Sequence, residues 1–142
     1  KHGADNAAVF TNLDLPEGWA AVTMTGQTDE EIAHTMRTVA IFAAPNRNEG
    51  MCAPTSEAMI SGCVNVCWTG GGPDEYLKGR AMIAEQDNVE ALRAAIVSTA
   101  RDIDTRPKWW AQKTRDWSDW FQETYSRKRE VAELCGIFEE LL

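Results

Sequence analysis

Pro54-Thr-Ser-Glu-Ala-Met-Ile-Ser-Gly-Cys-Val-Asn-Val-Cys-Trp68 reads in two ways, and the fold turns on the choice. As a helix, it sets Ile60, Cys63, Val64 and Cys67 at i, i+3, i+4 and i+7, one apolar stripe. As a strand, Cys63 to Trp68 is a β-prone run bounded by Gly62 and by the glycines from Gly70 onward. The helical reading takes precedence by a narrow margin, because Gly62 suits a close helix contact as well as a strand boundary.

The flanks read as helices too. Upstream, Thr28-Asp-Glu-Glu31 is a capping box. Ile32, Met36, Val39 and Ala43 follow at helical spacing, which predicts a helix over 29–43 stopped by Pro45. Downstream, the Gly70-Gly71-Gly72 run is a break, not a phosphate loop, since no Lys-Ser/Thr pair closes it. Residues 74–86 read as a helix weakened by Gly79. A second capping box, Asp87-Asn-Val-Glu90, opens an amphipathic helix over 88–104 built on Val89, Leu92, Ile96, Ala100 and Ile103. Pro107 sits where a helix can start. From Lys108 onward no proline intervenes, and one long helix, or two with a bend near Ser126, is expected. Trp19 to Thr25 reads as a short strand.

At 142 residues the chain has room for one core. The expected fold is therefore mainly α: a single-domain helical bundle over 1–142 with an irregular segment over 1–18. A long helical C-terminal segment over 108–142 completes it, and short β-strands are allowed near 19–25 and 63–68.

Charge bounds the partners. There are 14 basic and 22 acidic side chains, net −8. That argues against broad electrostatic binding to duplex nucleic acid or anionic lipid. The charge is uneven, at −7 over 1–100, +3 over 101–129 and −4 over 130–142. The positive block holds Trp109, Trp110, Trp117 and Trp120 among Lys113, Arg115 and other cations, with Phe121 beside them. Core packing is the first reading of such aromatics, and an interface anchor the second. The chain is therefore expected to be a non-catalytic binding or assembly module. It would use Trp109, Trp110, Lys113, Arg115, Trp117, Trp120 and Phe121 to meet a protein partner or a second copy. Nucleic acid is disfavoured as a partner, and no cofactor is expected. The longest uncharged stretch, Ala58 to Pro73, falls short of a membrane span. A cytoplasmic location is expected, although a start at Lys1 is compatible with a removed signal peptide.

The alternative is a thiol enzyme. Met51-Cys-Ala-Pro-Thr-Ser-Glu-Ala-Met-Ile60 resembles the nucleophile segment of the papain-like peptidases that process bacteriocin leaders. The resemblance implies Cys52 as nucleophile. It departs at Ala53, where that family has Gly, and no histidine follows Cys52, which leaves His34 as the base. Metal binding is not expected. Glu31-x-x-His34 lacks the second pair that a bundle metal site needs, and Cys63-x3-Cys67 is the remaining metal alternative.

Overall fold

Gly62 settles the opening question, with a φ of +88°. That left-handed turn ends a helix at Ile60 and starts a strand two residues later. The computed structural model describes residues 8–45, 50–68 and 71–140. Residues 46–49, Thr69 and Gly70 of the glycine break, and Leu141 and Leu142 lie outside them, as do residues 1–7.

The elements run α1 (Asp29–Thr38), β1 (Ile41–Ala44), α2 (Ala53–Ile60), β2 (Val64–Cys67), α3 (Asp74–Leu77), β3 (Met82–Ile83), α4 (Val89–Thr105), α5 (Pro107–Thr124) and α6 (Arg127–Glu140). The fold is mainly α, with a long C-terminal helix bent at Tyr125–Ser126, as the sequence predicts. The strands form one parallel sheet in the order β1-β2-β3.

Three helical expectations give way to this sheet. The helix over 29–43 ends at Thr38, and Ile41–Ala44 becomes β1, so Pro45 follows a strand rather than a helix. The stripe Ile60, Cys63, Val64 and Cys67 is divided between α2 and β2. The helix over 74–86 shrinks to Asp74–Leu77, because Gly79 takes a φ of +75°. The strand expected over 19–25 does not form: the run is irregular, bends at Thr25 and has no ladder partner among the described residues. A strand of a parallel sheet is buried on both faces and loses the polar–apolar alternation that marks it. Val64, Asn65, Val66 and Cys67 are all buried, although Val64-Asn65-Val66 keeps the alternation in the sequence.

The caps were legible. Thr28 Oγ1 accepts from the Glu31 amide at 3.3 Å, and Glu31 accepts from the Thr28 amide at 2.8 Å. These bonds hold the Glu31 carboxyl below its usual range. At α4 the cap is Asn88, one residue after Asp87, and its side chain accepts from the Ala91 amide at 2.9 Å.

Alternation assigns the layers. Asn65 Nδ2 donates to the Thr55 carbonyl at 3.0 Å, so Asn65 faces α2. Val64 and Val66 then face the other side, where they share a core with Leu92 and Ile96 of α4. α5 packs on α2, and Ser118 Oγ donates to the Ile60 carbonyl at 2.8 Å.

Arg93 of α4 ties down the N-terminal segment. Its guanidinium donates to the carbonyls of Ala8, Val9, Thr11 and Asn12 at 2.7–3.0 Å, and Val9 is buried in the core. Those carbonyls follow a helical turn over 8–10 and have no intrahelical donor. Arg93→Ala is expected to cost about 2 kcal/mol. Lysine at 93 recovers only part of it, being a point charge without the planar fork. Urea unfolding midpoints of the two variants check this.

Candidate functional site

In an open parallel sheet, ligands bind beyond the carboxyl ends of the strands. Here those ends are Ala44, Cys67 and Ile83. The segment before α2 and the segment after β2 meet there. A side chain at Gly72 would collide with the Gly50 carbonyl, so glycine is required for this approach of two backbones. Gly71 has a φ of +98°, a conformation that L side chains rarely adopt.

Beneath the two loops lies a buried polar cluster. The Cys52 carbonyl accepts from Thr55 Oγ1 at 2.8 Å and from the Tyr76 hydroxyl at 2.9 Å. Thr55 Oγ1 and the Tyr76 hydroxyl are 2.7 Å apart. Asn65 holds the Thr55 carbonyl, so β2, α2 and α3 are joined through one chain of bonds. This network fixes Cys52 at the N-cap of α2, an eight-residue helix with no acidic residue in its first turn. Burial pushes the Cys67 thiol up to about 12, with Cys52 and Asp74 adding to the shift. Tyr76 is raised too, by burial first. The floor of the site is thus neutral and rigid, and its rim is backbone.

The residues singled out in the sequence lie elsewhere. Trp110, Trp117 and Phe121 are buried in the core. Trp110 Nε1 donates to Asp102 at 2.8 Å, while Arg106 and Asp102 form a close ion pair beside it. Trp120 is half-buried under the Arg80 guanidinium, 3.2 Å from its ring centroid. Trp109 is half-exposed, edge-on to Trp110 at 4.9 Å, with Arg106 over its ring at 4.5 Å. Lys113 is half-buried between Trp109 and Trp117, and Arg115 is exposed. The cluster is therefore mostly core. The exposed apolar side chains of the C-terminal segment fall mostly in α6, at Val131, Leu134 and Phe138 among others.

The metal alternative fails on distance. Four residues of extended chain separate Cys63 from Cys67 by roughly 13 Å, far beyond two bonds to one ion. Cys63 is engaged instead, its thiol donating to the Met36 carbonyl at 3.0 Å, and burial pushes it up to about 11. Among the described residues no group of three or more His, Cys, Asp or Glu is placed to hold a metal ion. None of their helices is long and apolar enough to cross a membrane.

The sequence pattern of the glycosyl transferases group 1 matches residues 3–102, most of the chain. The chain belongs to that family. No curated protein and no solved structure matches it.

Membership overturns both functional expectations. A non-catalytic module acting through the Trp-rich helix is displaced: the matched region ends at Asp102 and leaves Trp109 to Trp120 outside it. The cysteine-peptidase alternative is displaced as well. Cys52 is buried at the N-cap of α2, whereas His34 stands on the exposed side of α1. Thr55, Asn65, Tyr76 and Gly72 were missed as site residues. The readable signal was two short apolar runs, Ile41–Ala44 closed by Pro45 and Val64–Trp68 closed by Gly70 to Pro73.

Proposed function

We propose that this chain takes part in glycosyl transfer and holds an activated sugar donor at the carboxyl edge of its sheet. The observation that carries the reading is the family match, which takes in all three strands and the loops beyond them. In such a transfer the bond from the anomeric carbon to the leaving oxygen breaks. A bond to an acceptor oxygen forms, and the acceptor loses a proton. A phosphate-type leaving group is anionic, and the start of α2 suits it through the helix dipole and the Ala53 amide, since Pro54 has no N–H and the Thr55 and Ser56 amides donate to the Cys52 carbonyl. The Thr55–Tyr76–Cys52 network keeps that helix start in place, and the Gly72–Gly50 approach sets the loops on either side of it.

The test is amide-resolved NMR with UDP-glucose as the probe and GDP- and ADP-glucose beside it. Saturable shifts are expected at Gly50, Cys52, Ala53, Gly71 and Gly72. Gly72→Ala should weaken binding at least about tenfold, or ~1.4 kcal/mol, while the amides of Val64 and Val66 stay in place. Shifts confined to α5, or no response to any of the three at millimolar concentration, would refute the reading.

A further inference from the structure

Among the described residues the outer edge of β1 is unpaired. The Val64 amide donates to the Ala40 carbonyl at 2.9 Å, so the backbone of Ala40 faces β2. Successive residues of a strand present their amide and carbonyl to alternate sides. Those of Ile41 and Ala43 therefore point away from β2, and they have no hydrogen-bond partner among the described residues.

A groove of about 590 Å³ lies along this edge. Its far wall is the run over 20–24, which forms neither helix nor strand and whose backbone also pairs with nothing among the described residues. That run, α1 and β1 follow one another in the order of a βαβ unit. Consecutive strands usually lie side by side, yet here the groove holds them apart. Leu15, Trp19, Val22, Met24, Ile41 and Phe42 line it, and none of its described lining residues is charged. Val22 is 62% exposed. The outward backbone donors and acceptors of Ile41 and Ala43, beside apolar side chains, have the complement of a β-strand.

We propose that the groove receives an uncharged, β-branched strand of a partner polypeptide, which adds to the sheet at β1. Charge complementarity selects the occupant: an acidic or basic strand would bury its charges against this lining without a counter-ion. Main-chain bonds to Ile41 and Ala43 supply affinity, and alternate side chains fill the apolar floor, which is the mode of β-strand addition. The inference is independent of the glycosyl-transfer reading, because it concerns the edge and not the carboxyl ends of the strands.

The probe is an acetylated, amidated hexapeptide of alternating valine and threonine, added to the full chain and followed by amide NMR. Ile41, Ala43 and residues 22–24 should shift together. At peptide tenfold above Kd, solvent exchange at the Ile41 and Ala43 amides should slow about tenfold. A valine–glutamate peptide of equal length should leave them unchanged. Absence of shifts at millimolar valine–threonine peptide, or equal binding of the glutamate peptide, overturns the proposal. So does protection of Ile41 and Ala43 in the protein alone that grows with its concentration, which would assign the groove to a second copy. Shifts of groove methyl groups by decanoate, with no protection of these amides by the peptide, would assign it to a lipid chain and equally overturn it.

Discussion

Replacing Trp68 by alanine is expected to cost about 4 kcal/mol, the range for deleting a large buried aromatic. Trp68 is the largest of the fully buried side chains and follows β2 directly. Its indole Nε1 donates to the Asn88 carbonyl at 3.2 Å. Asn88 is also the residue whose side chain caps α4. One ring therefore fills the core and anchors the start of the helix that covers the Val64 and Val66 face. A domain of this size has roughly 5–15 kcal/mol in total, so the variant should unfold at a temperature lower by on the order of 10 °C. Trp68→Phe separates the two roles, because it keeps most of the buried area and removes the donor; about 1–2 kcal/mol is expected. Trp109→Ala is the control, since that ring is 46% exposed. Urea unfolding of all three decides it, and a larger loss for Trp109 than for Trp68 would put the core in the wrong place.

The tryptophans of α5 show what was legible. The helical face that holds Trp110, Trp117 and Phe121 could be read from spacing alone, because a helix half-covered by its neighbours keeps its 3.6-residue period. The capping box at Thr28 and the break near Ser126 were readable for a similar reason: each depends on residues within one turn of one another. β2 was not readable in this way. Its neighbours are 20 or so residues distant, and although Val64-Asn65-Val66 alternates, the run is so short that Ile60 to Cys67 fits a helical stripe just as well. The candidate site inherits that difficulty. Thr55, Asn65 and Tyr76 become one network only when α2, β2 and α3 are placed side by side, and the role of Gly72 exists only because Gly50 passes next to it. Cys52 does stand before a helix, at the N-cap of α2. The chemistry inferred from it was wrong, because a thiol at an N-cap gains a catalytic role only from a base, and His34, the only histidine among the described residues, stands on the exposed side of α1.

The buried thiols make a second large effect, in alkali. Cys67 is held up at about 12 and Cys63 at about 11, in both cases chiefly by burial. In the unfolded chain a thiol titrates near 8.5. The folded state therefore keeps protons that the unfolded state gives up, and the unfolded state binds fewer protons between pH 8.5 and 11. Stability falls with rising pH wherever that is so. The contribution of the two thiols is complete below about pH 8.5, and it is lost as pH climbs toward the folded values. Each thiol can remove at most about 1.4 kcal/mol per pH unit in that window. Tyr76 is raised by burial as well and acts in the same direction at the upper end. The unfolding free energy measured in urea under reducing conditions should therefore hold steady from pH 7 to 8 and then drop progressively to pH 10.5. Cys67→Ala should lower stability at pH 7 through lost packing, yet flatten the alkaline slope by about half. A slope unchanged by Cys67→Ala would mean that its thiol is open to solvent. That would also remove the neutral floor on which the reading of the candidate site depends.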